Sequence, residues 1–142
     1  MKKRWTFWAA ALVILAGCER NSSAPLQTFN EGFDWVLPPY EIEQMVYCFC
    51  APPANQWHKL TVRENAIVAV DGAAPTELEM QMFKTIEQLH EFIADVESRE
   101  VAFYRVEYDS TYGYPTDLYV DFNAGIADEE IGYRNRNVRT VQ

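Results

Sequence analysis

The sequence is short of positive charge: 12 Lys and Arg stand against 21 Asp and Glu in 142 residues. Binding a phosphate backbone requires clustered cations that displace counterions, so the balance argues against nucleic acid as a partner. Histidine occurs twice and glycine six times. No Gly-rich phosphate loop, Gly-x-Ser-x-Gly elbow, His-Glu-x-x-His pair or EF-hand loop can be read along the chain, so the sequence supports no catalytic assignment, no cofactor and no metal site. Long apolar runs are also missing. The longest uncharged, mostly apolar stretch, Trp5 to Gly17, has 13 residues, whereas a helix needs about 20 to cross a bilayer. Against these absences stand a hydrophobic fraction of 49% and an aromatic fraction of 14%, enough apolar surface to form a core.

Residues 1–17 read as an export leader. Met1-Lys2-Lys3-Arg4 is basic, the apolar stretch has signal-peptide length, and it ends in Leu15-Ala16-Gly17-Cys18. That ending resembles the lipobox of bacterial lipoproteins at all four positions. The resemblance implies diacylglyceryl attachment to the Cys18 thiol, cleavage before it and acylation of the new amino group. Two or three acyl chains, at about 0.8 kcal/mol per buried methylene, anchor a protein to a membrane durably. Glu19 stands where an aspartate would, in Gram-negative lipoproteins, favour the inner membrane. The expected location is therefore the periplasmic leaflet of the outer membrane, or the outer cell surface if the host is Gram-positive. Without the leader, 125 residues remain with nine basic and 21 acidic groups, a net charge of −12. Residues 18–28 form a polar tether, and residues 29–142 are expected to make one domain.

Within that domain the apolar pattern alternates between helical and strand periods. Phe33, Val36 and Leu37 suggest a short helix over Phe29 to Leu37, ended by Pro38-Pro39. Tyr40, Ile42, Val46, Cys48 and Cys50 share one face at period two, with Gln44 the polar exception. Ala51-Pro52-Pro53-Ala54-Asn55 breaks that strand. Trp57 to Glu64 and Ile67 to Val70 read as a hairpin turning at Asn65-Ala66, closed by Asp71-Gly72. Thr85, with Gln88 three residues on, signals a capped helix reaching about Ser98, its stripe made of Ile86, Leu89, Ile93 and Val96 beside Phe92. Val101 to Asp109 alternates again, with Ala102, Tyr104, Val106 and Tyr108 on one face. Leu118, Val120 and Phe122 then oppose Asp117, Tyr119 and Asp121, as in a sheet with one wet face. Turn residues Ser110 to Pro115 lie between these two strands, with Gly113 available for a positive φ. A last strand covers Gly132 to Val141, after the acidic run Asp128-Glu129-Glu130. The expected class is α+β, an antiparallel sheet of about six strands in αβββ-αβββ order with one main helix and a short N-terminal one.

Tyr47-Cys48-Phe49-Cys50, the hairpin with Trp57 and Val62, Thr85-Ile86-Glu87-Gln88-Leu89, Tyr108-Asp109, Gly113-Tyr114-Pro115, Val120-Asp121 and Asp128-Glu129 resemble an uncharacterised family of bacterial lipoproteins carrying a domain of unknown function. The resemblance spans roughly residues 35 to 140. It implies a compartment and a fold and brings no activity. Ala66 departs from the glycine expected in the hairpin turn.

Once Cys18 is assigned to lipid, Cys48 and Cys50 remain as a pair in an oxidising compartment. On a regular strand their Cα atoms would lie about 6.5 Å apart, near the upper limit for a disulfide. A structural clip, two buried free thiols, and a redox or metal centre all stay open. Exposure beside His58 would favour thiol or metal chemistry, and burial under Phe92 and Ile93 a structural role. A site of Cys48, Cys50, His58 and His90 would need all four brought together, and their spacing matches no closed zinc pattern. Asp109, Asp121, Asp128, Glu129 and Glu130 read as solvated acids rather than a calcium site. Tyr112, Tyr114 and Tyr119, around the Gly113 turn and the wet strand face, make a candidate binding surface. The expected function is a non-catalytic, lipid-anchored module that binds an envelope protein or polymer; the alternative is thiol-disulfide or metal handling through Cys48 and Cys50.

Overall fold

The computed structural model describes residues 37–142. The leader, Cys18, the tether and all but the last residue of the expected N-terminal helix lie outside the described residues. Eight elements follow in order: β1 (Tyr40–Cys48), β2 (His58–Arg63), β3 (Ala66–Val70), α1 (Glu77–Met82), α2 (Ile86–Ser98), β4 (Phe103–Tyr108), β5 (Pro115–Asp121) and β6 (Ile131–Thr140). The strands form one sheet in the order β3-β2-β1-β6-β5-β4, antiparallel throughout. Two three-stranded meanders thus meet where β1 pairs with β6, and both helices lie in the connection between them. The class is α+β, as the alternating periods require. No helix among the described residues is long and apolar enough to cross a membrane.

Period two sorts the side chains. Tyr40, Ile42 and Val46 of β1, Leu60 and Val62 of β2, Leu118 and Val120 of β5, and Tyr133 of β6 are buried on one face. Ile86, Leu89, Ile93 and Val96 of α2 cover them. Gln44 occupies the same face and is fully buried. Its amide nitrogen donates to the Lys84 carbonyl at 3.0 Å and to Asn135 Oδ1 at 2.8 Å, and its Oε1 accepts from the Lys84 N–H at 2.9 Å. Asn135 in turn donates to the Pro115 carbonyl at 2.8 Å. A fully used polar chain therefore crosses β1, β6 and the start of β5, and ties down the segment that launches α2.

The opposite face carries charge in stripes. Glu41 and Glu43 of β1 face Arg139 and Arg136 of β6, and Arg105 of β4 and Arg134 of β6 converge on Asp117 of β5 at 2.9 and 3.0 Å. Tyr47 lies flat over Gly132, where a Cβ would come within 1.9 Å of Tyr47 Cζ, and the Arg134 guanidinium sits 5.1 Å from the ring centroid. Only glycine permits that approach.

Three of the differences from the sequence expectation have a local physical reason. The hairpin turns one residue earlier: Glu64 (φ 49°) and Asn65 (φ 57°) are the left-handed pair, while Ala66 pairs with Arg63 in the ladder. The missing glycine at Ala66 is thereby explained, because Ala66 never leaves the strand region. β1 stops at Cys48, so Cys50 is not on its face. The third difference is α1, a six-residue helix with no fully buried residue, only Met82 packing partly against the core, and no apolar stripe to reveal it, though a Thr76–Glu79 capping box starts it. β4 is an edge strand on which only Val106 is half-buried, and Ala102 lies outside it.

Candidate functional site

One end of the core opens into a cavity of about 630 Å³. Four separate stretches build it. Leu37, Pro38 and Tyr40 lead into β1; Ile86 and His90 lie one helical turn apart on α2; Val138, Arg139 and Thr140 end β6; Thr111, Tyr112 and Tyr114 come from the loop between β4 and β5. That loop is held by its own backbone and by the Asp109 side chain. Asp109 Oδ1 accepts the N–H groups of Thr111 and Tyr112 at 2.9 and 2.7 Å, the Gly113 N–H reaches the Asp109 carbonyl at 3.0 Å, and the Asp109 N–H reaches the Tyr114 carbonyl at 2.9 Å. Gly113 takes φ 73°, which closes the turn. The result sends Tyr112 outward, 71% exposed, and Tyr114 inward, 8% exposed.

The wall opposite is polar at one point. Tyr40 Oη accepts the Ile86 N–H at 2.8 Å and donates to Glu87 Oε2 at 3.1 Å, so the phenol satisfies a donor at the start of α2 and holds a buried carboxylate. Burial, and after it the Glu87 charge, push the Tyr40 phenol far above its ordinary range, so it stays a neutral hydroxyl. Burial likewise raises Tyr114, with the Asp109 carboxylate adding to it, and lowers His90 below the usual histidine value. The His90 ring stacks on Tyr108 at 6.0 Å. The lining is therefore mostly apolar and aromatic, with neutral hydroxyls, an imidazole whose charging burial disfavours, and one cation, Arg139, whose guanidinium is paired with Glu41.

Of the three sequence-selected tyrosines, Tyr112 and Tyr114 line this cavity. Tyr119 does not. Odd-numbered residues of β5 point to the charged face, where the Tyr119 ring lies parallel to Tyr47 at 6.2 Å and beside Phe103 at 6.1 Å. The three cannot form one surface, because a sheet separates them.

Cys48 and Cys50 are joined by a disulfide with their Cα atoms 5.2 Å apart. The distance is shorter than on a regular strand because β1 ends at Cys48 and the chain bends at Phe49. Cys48 packs against the core, Cys50 is exposed, and Phe49 between them is 81% exposed. The Asn55 N–H to the Val46 carbonyl (2.7 Å) and Asn55 Nδ2 to the Cys48 carbonyl (3.1 Å) fold the following loop back onto β1. His58 is spoken for: Nδ1 meets Asp71 Oδ2 at 2.7 Å, Nε2 meets the Pro53 carbonyl at 3.1 Å, and the ring tilts against Phe83. Neither of its nitrogens is left for a metal, and His90 lies at the cavity. Among the described residues no group of three or more His, Cys, Asp or Glu converges to hold a metal ion. The acids divide: Asp109 pins the cavity loop, while Asp121 stands at the far end of β5, roughly 20 Å along the strand, at the end where the Asp128-Glu129-Glu130 run leads into β6.

A model of a family of unknown function, DUF6174, matches residues 36–140. The chain belongs to that family. The matched span contains every strand and helix described, the Cys48–Cys50 disulfide and the residues that wall the cavity; the leader and Cys18 fall outside it. No curated protein and no solved structure matches the chain. The walls Tyr40, Ile86, Val138 and Thr140 carry no local signal in the sequence, where each reads as an ordinary core or strand-end position.

Proposed function

We propose that the chain is a lipid-anchored cell-envelope protein, tethered through Cys18 to the periplasmic leaflet of the outer membrane, that binds the apolar or aromatic part of an envelope component in its cavity without transforming it. The observation that carries this reading is the cavity itself. Its volume lies within the roughly 300–1,000 Å³ of small-molecule sites, and its lining is mostly apolar with a few fixed polar groups. Tyr40 is already committed to Ile86 and Glu87, which suits it to shape the site rather than to react. Thiol-disulfide or metal handling gains no support, because His58 is engaged elsewhere and the sulfurs lie outside the cavity lining.

The test is photocrosslinking in cells, with p-benzoylphenylalanine at Tyr112 and, as control, at Glu64 on the β2–β3 turn. A mass adduct specific to position 112 is expected, together with alkynyl-palmitate labelling that disappears in Cys18→Ala. Equal adducts at both positions would refute the binding site; labelling that persists in Cys18→Ala would refute the anchor.

A further inference from the structure

β4 is hydrogen-bonded on one side only among the described residues, since it ends the strand order next to β5. Its side chains are open to solvent to an unusual degree for a strand of aromatics: Phe103 is 54%, Tyr104 38% and Tyr108 40% exposed. The edge of a sheet is a template for another strand, and proteins ordinarily blunt it with charge. β4 carries two charges, Arg105 and Glu107, which are opposite in sign and two residues apart. That spacing is poor protection and good complementarity.

We infer that β4 is a homodimer interface, in which the β4 strands of two copies pair antiparallel about a two-fold axis through Val106. In this register Arg105 lies opposite Glu107 of the second copy, Glu107 opposite its Arg105, and Tyr104 opposite its Tyr108. Neighbouring even registers are penalised: a shift by two residues in either direction sets Arg105 against Arg105 or Glu107 against Glu107. A shift by one turns the aromatic face of one copy to the charged face of the other. The backbone agrees. The Asp109 N–H points to β5, where it meets the Tyr114 carbonyl, so alternation turns the amide groups of Tyr104 and Val106 to the open side. Val106 of both copies then forms a hydrogen-bonded pair at the axis, and Arg105–Glu107 falls at the closer, non-hydrogen-bonded positions. Arg105 already bonds Asp117 within its own chain at 2.9 Å, which holds its guanidinium on the charged face where the second copy's Glu107 arrives. The product is a continuous twelve-stranded sheet with charges paired across the seam.

The experiment uses the full chain in detergent micelles and traps the register with cysteines at exposed positions. Chains bearing Arg105→Cys are mixed with tagged chains bearing Glu107→Cys and oxidised, with the wild-type chain as the background for Cys18. A mixed disulfide several-fold above the 105–105 and 107–107 products is expected, because opposed non-hydrogen-bonded pairs meet disulfide geometry. Glu107→Arg should weaken the dimer about tenfold by sedimentation, since two attractive pairs become repulsive. Mixing Glu107→Arg with Arg105→Glu chains should restore it. A wild-type chain that sediments as a monomer at micromolar concentration, or a mixed disulfide no stronger than the like pairs, overturns the proposal.

Discussion

Gln44 is the residue on which the core is most exposed to a single change. Three hydrogen bonds from its fully buried side chain reach Lys84 and Asn135, 40 and 91 positions away; the one to Asn135 is buried and the two to Lys84 are partly so. Methionine has nearly the same length and would fill the space, so Gln44→Met tests the hydrogen bonds and not the volume. It leaves the Lys84 N–H, the Lys84 carbonyl and Asn135 Oδ1 without their partner inside the protein. Each such group costs about 1–3 kcal/mol, with some relaxation by water, and the substitution should lose about 2–4 kcal/mol in denaturant unfolding with an unchanged m-value. A loss under about 0.5 kcal/mol would mean that the polar chain is incidental. In the sequence Gln44 stood out as a polar break on an apolar face. Its partners could not be read, because nothing local links position 44 to 84 or 135.

Elements were legible where one period and one capping signal coincide. α2 begins at Thr85 because its hydroxyl accepts the Gln88 N–H and Gln88 Oε1 accepts the Thr85 N–H, a reciprocal pair visible as two residue types three apart. The strands were legible from alternation, and the one-residue error at the β2–β3 turn has a physical origin. A two-residue hairpin loop wants left-handed conformers at both positions, for which Asn-Gly is the best sequence, and here the pair is Glu64-Asn65. Of the cavity only the loop wall was legible, through Tyr112 and Tyr114, since Tyr40, Ile86 and Val138 meet that loop only through the sheet order. The turn gives two opposed predictions. Glu64→Asn relieves a left-handed glutamate and should stabilise by about 0.5 kcal/mol. Asn65→Gly, favoured by turn preference alone, should instead cost about 1 kcal/mol, because Asn65 Oδ1 accepts from Thr85 Oγ1 at 2.5 Å and links the hairpin to the start of α2. Thermal midpoints of the two variants decide it, and a stabilised Asn65→Gly would show that the link is idle.

At the scale of the whole molecule, charge is sorted by location. Four of the arginines, Arg105, Arg134, Arg136 and Arg139, are spent on Asp117, Glu43 and Glu41 of the outer face, Arg139 lining the cavity as well, whereas α2 holds a partly buried imidazole at His90. These two regions must respond to acid in different windows. His90 is lowered by burial, so the unfolded chain takes up its proton first as pH falls; stability is whole above the ordinary histidine range, near 6.5, and erodes as pH drops through it toward the depressed folded value. Asp117 is lowered too, although burial opposes this, because Arg105, Arg134 and Tyr47 all bond it. Its contribution is present above the ordinary carboxylate range, near 4, and is lost only as pH falls through its lower folded value. Unfolding midpoints measured from pH 7.5 to 3 should therefore show an upper limb and a lower limb. His90→Gln should flatten the upper limb relative to wild type and leave the lower one, while Asp117→Asn should do the reverse and lower stability at neutral pH through its two lost ion pairs. Comparing each variant with wild type at the same pH cancels the His58–Asp71 pair and the general easing of repulsion as the net charge approaches zero. Parallel wild-type and His90→Gln curves between pH 7 and 5 would place the acid sensitivity elsewhere and remove the argument that the cavity wall favours a neutral ring.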